Sequence, residues 1–151
     1  MGDVAAVEVV EIPAEATHDL RRAVLRGGRA DADVDFPEDR VEGAFHLGGW
    51  TSDGELVGVA TFSPRDTEHR PGRRAYQLRG MAVLESHQGA GVGRQLLDVA
   101  AARLREAGAE VLWANGRDTA LGFYRRWGMD VVGDGFVNPA GIPHHVVIYD
   151  L

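Results

Sequence analysis

The stretch that most constrains this chain is LRGMAVLESHQGAGVGRQLL, Leu78 to Leu97, in which one periodicity replaces another across glycines at 89, 91 and 93. Before them, in Arg74 to Leu84, Tyr76, Leu78 and Ala82 alternate with Gln77, Arg79 and Met81 until both faces turn apolar at Met81-Ala82-Val83. That pattern predicts a central strand, with Gly80 a candidate bulge. After them Val92, Leu96, Val99, Ala100 and Leu104 recur at helical spacing to Ala107, and Gly108 stands where a C-cap glycine belongs. A glycine turn between strand and helix leaves unpaired N–H groups at the positive end of a helix dipole, which is an anion site and typically a phosphate site. Gly91 and Gly93, lacking a Cβ, would let the backbone come close to a bulky diphosphate.

Two other phosphate readings fail on missing residues. A P-loop needs a lysine to reach the phosphates, and this chain has none. A dinucleotide site of the Rossmann type needs an acid at the end of the next strand, and here that strand ends Trp113-Ala114-Asn115.

The 151 residues suit one domain, taken as 1–151. Cysteine is absent, so no disulfide, cysteine-based zinc site or thiol nucleophile is expected. No leader-like segment and no apolar run of about 18 residues appear, so the expectation is a soluble, cytoplasmic protein without a membrane partner. Residues 1–69 carry 15 acids against 6 arginines, and residues 70–151 carry 8 acids against 10 arginines, giving −9 and +2 and a net −7. Such a balance disfavours nucleic acid. It leaves room for a small anion near Arg70, Arg73, Arg74, Arg79 and Arg94.

The remaining elements follow local signals. Val7–Ile12 predicts a strand, and Thr17 can cap a helix stopped by Gly27-Gly28. Residues 29–42 are acidic and are expected to be a loop or short helix. Ala44–Thr51 and Leu56–Ser63 flank Asp53-Gly54, a strong hairpin signal. Val111–Ala114 is a short apolar strand, Ala120–Trp127 a helix capped by Asp118 or Thr119, and 129–137 and 144–151 a final strand pair. The order is that of an α/β fold with a mixed sheet.

At this point LRGMAVLESHQGAGVGRQLL resembles the acetyl-CoA signature of the GCN5-related N-acetyltransferase (GNAT) superfamily, with Gln88, Gly91 and Gly93 in its fixed positions. LWANGRDTALGFYRRWGM is similar to its second signature: Tyr124 and Gly128 match, and Met129 stands where the family has Phe. GIPHHVVIYDL and DRVEGAFHLGGW are similar to a subgroup of small bacterial members. The resemblance implies a mixed, mostly antiparallel sheet of six or seven strands flanked by about four helices, with a splay between the strand ending at Val83 and the one beginning at Glu110.

It also implies roles. The backbone at Gln88, Gly89, Ala90, Gly91, Val92, Gly93 and Arg94 would hold the CoA pyrophosphate. Met81, Ala82 and Val83 would lie along the pantetheine arm, with the amide of Met81 or Val83 donating to the thioester oxygen. Asn115 would bond the arm or a water. Tyr124 would be the general acid toward the departing thiolate, its phenol having an ordinary pKa of about 10. Arg117 stands where many relatives have Asn. No metal is implied.

The general base is not given by the motif, since the strand residues Gln77 and Arg79 cannot serve. His46 and His144 are the candidates, because a histidine of pKa about 6.5 is mostly neutral at pH 7. His145 points to the face opposite His144, and His87 reads as a loop residue.

The expected activity is transfer of an acetyl group from acetyl-CoA to a primary amine by direct attack in a ternary complex. The alternative is a CoA-binding regulatory module without turnover. The acceptor would be a small molecule or a peptide amine. The acids Asp31, Asp33, Asp35, Glu38, Asp39 and Glu42, on the usual acceptor side, would favour a cationic one. An exposed final strand pair is the kind of surface through which such folds form homodimers.

Overall fold

A computed structural model describes residues 6–151, so residues 1–5 of the expected 1–151 domain lie outside it. The strands are β1 (Glu8–Ile12), β2 (Phe45–Trp50), β3 (Leu56–Pro64), β4 (Ala75–Val83), β5 (Val111–Arg117), β6 (Asp130–Val137) and β7 (Pro143–Asp150). They form one sheet in the order β1-β2-β3-β4-β5-β7-β6. Every junction is antiparallel except β4 with β5, which is parallel and is bridged by α2 (Val92–Glu106). This is the mixed, mostly antiparallel sheet that the sequence implies.

The faces of the sheet are covered unequally. On one, α2 buries Val92, Leu96, Leu97, Ala100 and Leu104 against Leu47, Phe62 and Leu112, and α3 (Leu121–Trp127) adds Tyr124 to the same cluster. Each such leucine contributes roughly 1.5–3 kcal/mol. Close approach depends on Gly58, where a Cβ would stand 2.6 Å from Val92 Cγ1. On the other face the first helical segment packs Leu20 against Ile12, Val59 and Ala82. No helix of the described residues is long and apolar enough to cross a membrane.

That first segment departs from a capped α-helix. It begins as a 3-10 turn at Ala14–Thr17, continues through α1 (His18–Leu20) and widens into π-helix at Arg21–Leu25. Thr17 is already inside the helical run, so its hydroxyl donates to Ala14 O at 2.6 Å rather than capping. From the π turn Arg21, fully buried, grips the acidic segment: its two terminal nitrogens donate to Asp39 Oδ2 at 2.7 Å and Oδ1 at 2.8 Å, and also to Val34 O and Thr61 Oγ1.

Strand β5 is longer than its apolar run. Asn115, Gly116 and Arg117 continue it because β7 supplies partners at Val146, His145 and His144. Asn115 therefore lies within the strand rather than after it. The expected cap Asp118 instead accepts from His145 Nδ1 at 2.7 Å.

Candidate active site

Strands β4 and β5 pair from Ala75 with Val111 to Leu78 with Ala114, and then part. The cause sits at Gly80, whose φ is +61°. Across it β3 advances two residues, Thr61 to Val59, while β4 advances three, Arg79 to Ala82. This bulge bends β4 away from its neighbour. A Cβ at Gly80 would meet Phe36 Cε2 at 3.1 Å and Arg21 Nε at 3.2 Å, so a side chain there would crowd the packed face as well as strain the backbone.

Beyond the bulge one edge of β4 has no strand partner. Leu84 N–H donates to Val57 O on the β3 side at 2.9 Å. Strand alternation then turns Ala82 toward β3 and the main-chain groups of Met81 and Val83 toward the opening. One of these is engaged: Gln88 Nε2 donates to Val83 O at 2.9 Å, so the glutamine side chain pins the glycine turn to the strand.

The turn itself runs through a 3-10 turn at Glu85–His87 to Gly89 at φ +78° and Gly91 at φ +86°, which is the N-cap of α2. Gln88 N–H and Ala90 N–H are spent on Glu85 O and His87 O, whereas the first-turn amides of α2 have no partner one turn back. Gly93 has a second role. It is helical and lines the first cleft, and a Cβ there would lie 3.0 Å from Phe123 Cζ, so its bareness also seats an aromatic ring. The Ala82 and Val92 side chains are buried in the core and turned from the opening.

A cleft of about 630 Å³ is bounded by this turn, Met81, Val83, Phe123, Tyr124 and Trp127. A second, of about 780 Å³, shares Met81, Gln88, Ala120 and Tyr124 with it and extends past Gln77, Arg79, Asn115, Arg117, Phe136 and His144. Tyr124 thus stands in the wall common to both. Burial pushes its pKa up to about 12, with the Arg117 charge working the other way, so the phenol stays protonated at neutral pH.

Of the two histidines singled out, only His144 reaches the opening. Its Nδ1 lies 2.7 Å from Ile142 O. A carbonyl can only accept, so Nδ1 carries the hydrogen and the neutral ring keeps a lone pair on Nε2. Phe136 stacks on the ring at 5.6 Å. His46 lines neither cavity. It is buried on β2, with Nδ1 2.8 Å from Thr61 Oγ1 and 4.0 Å from Asp39. Burial lowers its pKa despite the Asp39 carboxylate, so it is a neutral core histidine. His87 bonds Ser86 at the rim of the first cleft.

Three of the six acids expected on the acceptor side are held in ion pairs. Asp39 is held by Arg21, Asp35 by both terminal nitrogens of Arg40 at 2.9 Å, and Glu38 by Arg79 at 3.4 Å; none of the six lines either cavity. His18, Asp35 and Asp39 form a group with donor atoms within 4.8 Å of one another. The two arginines already compensate both of its carboxylates.

Sequence reasoning missed Arg26, Phe136 and Asn138 in the second cavity. They come from the π-helical segment's end and the β6–β7 hairpin, and no local signal says that either folds toward β4.

The model of the acetyltransferase (GNAT) family matches residues 14–129. YitI of Bacillus subtilis (strain 168), described as an uncharacterized N-acetyltransferase, is 36% identical over 143 residues, covering 95% of each chain. Among solved structures, an acyl-CoA N-acyltransferase from Pseudomonas aeruginosa superposes with a TM-score of 0.74 at 18% identity, covering 95% of this chain and 99% of that one. A GNAT family acetyltransferase from Elizabethkingia anophelis, solved with acetyl-CoA bound, gives 0.69 at 14% identity over 96% and 98%.

Proposed function

The chain belongs to the acetyltransferase (GNAT) family, and from that premise we propose that it moves an acetyl group from acetyl-CoA to a primary amine by direct attack in a ternary complex. The observation that carries this is the opening between β4 and β5, with a glycine turn at one end, Tyr124 in its wall and His144 at the other end.

The two cavities fit such a pair of substrates. The first-turn amides of α2 suit a diphosphate, and the free edge of β4 at Met81 and Val83 suits an extended amide-bearing arm that pairs as an added strand. Asn115 faces that arm from β5. The Met81 or Val83 N–H polarises the thioester carbonyl.

During transfer a C–N bond forms, the C–S bond breaks, one proton leaves the amine and one reaches the sulfur. His144 Nε2 is assigned the first proton. Tyr124 is assigned the second. From a phenol of pKa about 12 to a thiolate whose acid has a pKa of about 8.5, full transfer is uphill by about 5 kcal/mol. That cost fits within the roughly 16 kcal/mol barrier of a turnover near 10 per second. Tyr124 therefore acts first as a hydrogen-bond donor to the developing thiolate.

Amine-dependent release of CoA thiol, with the acetylated amine found by mass, tests the assignment. Acetyl-CoA binding without release across a broad panel would instead support the regulatory module.

A further inference from the structure

We infer that the acceptor carries an anionic group, a carboxylate or a phosphate-type oxyanion, which Arg26 and Arg117 receive in the second cavity. This rests on the transferase assignment above. It departs from the cationic acceptor that the acidic first half of the chain suggests.

The second cavity is lined by Arg26, Arg79 and Arg117 and by no Asp or Glu. Arg79 is compensated by Glu38 at 3.4 Å. Among the described residues the Arg26 side chain has only the carbonyl of Leu25, at 3.2 Å, and the Phe36 ring, with its centroid 5.8 Å away. The Arg117 side chain makes no ion pair or hydrogen bond among the described residues, its main chain being paired with His144 on β7. Both are half-buried. Two half-desolvated guanidinium groups facing one cavity raise its potential, repel a second ammonium and favour an oxyanion that accepts from them in pairs. The neutral polar groups beside them, Gln77 and Asn138, can bond an oxyanion or an amine but do not offset the charge.

The phosphates of CoA do not explain these arginines. The glycine turn, Arg94 and Arg126 line the first cleft, whereas Arg26 and Arg117 line only the second. Between the two sets lies the shared wall of Met81 and Tyr124, where the uncharged arm would run.

The test is thiol release from acetyl-CoA with amines on matched skeletons: β-alanine, 2-aminoethylphosphonate, β-alaninamide and 1,3-diaminopropane, with phenylalanine, phenylalaninamide and phenethylamine as a bulkier set. On at least one skeleton the anionic amine should show a kcat/KM about tenfold or more above its carboxamide, as loss of a charge-assisted pair implies. The carboxylate and phosphonate arms distinguish the two oxyanions. Arg26→Gln and Arg117→Gln should each raise KM for the anionic amine and shrink that ratio toward one, while the Kd for acetyl-CoA stays the same. Equal or better use of the carboxamide or diamine by the unaltered protein overturns the inference and leaves the transferase standing. So does a full anion preference in both variants, or a loss confined to acetyl-CoA affinity. Absence of amine-dependent thiol release with every amine of a broad panel overturns the transferase assignment, and the acceptor inference falls with it.

Discussion

Gly116 on β5 makes room for the ring of Tyr124: a Cβ at 116 would stand 3.0 Å from Cε2 and 3.1 Å from Cδ2. The tyrosine is thus set by a strand glycine as well as by its own short helix. Tyr124→Phe should lower turnover about a hundredfold or more while leaving acetyl-CoA affinity nearly intact. Gly116→Ala should lower turnover by about tenfold or more through displacement of the ring alone. Stopped-time thiol assays with parallel binding titrations separate the two effects, and full turnover in Tyr124→Phe would remove the acid role.

The two motif glycines should fail differently. Gly93→Ala drives a methyl into Phe123, 3.0 Å away, and overpacking of that kind costs about 1–3 kcal/mol. Phe123→Leu in the same chain should recover most of it. Gly91→Ala instead imposes φ +86° on an L-residue, at about 1–2 kcal/mol, and no change at 123 relieves it. Thermal unfolding of the two single variants and both doubles with Phe123→Leu checks this.

These contrasts show what was legible in the sequence and what was not. Strand and helix positions followed from periodicity, since each apolar run matches the face it buries, and the bulge was visible as Gly80. The extension of β5 through Arg117 was not, because its polar residues are held by β7, a partner far along the chain. The seat that Gly93 makes for Phe123 was not legible either, because motif spacing does not show which ring packs on a glycine. His46 and His144 looked alike as strand histidines. Only the fold puts one under Thr61 and the other in the cleft.

The Arg21, Asp39 and His46 cluster should set the acid side of stability. At Asp39 burial pushes the pKa up, but hydrogen bonds and charge from Arg21 outweigh it and hold the carboxyl low. Its contribution is present above the unfolded value of about 3.9 and is lost as pH falls through the native value. His46, lowered mainly by burial, acts at higher pH. The unfolded chain takes up that proton first, so stability is full above about 6.5 and declines as pH drops toward the lowered native value. A profile of Tm against pH should therefore fall below about 6.5, and His46→Gln should flatten that step. Asp39→Asn should cost about 3–5 kcal/mol at neutral pH by leaving Arg21 buried and unpaired.

His144 should act through Nε2, since Nδ1 is committed to Ile142 O. His144→Gln should reduce kcat about tenfold to a hundredfold while leaving acetyl-CoA affinity nearly intact. An unchanged kcat in the variant would assign the proton to water.

The central claim is that the opening between β4 and β5 is a site of acetyl transfer, and its most direct measurement is release of CoA thiol from acetyl-CoA by the unaltered protein across a broad amine panel. Sustained, amine-dependent release with a matching acetylated product, reduced in Tyr124→Phe, is the expected result. Saturable acetyl-CoA binding with no thiol released by any amine would contradict it.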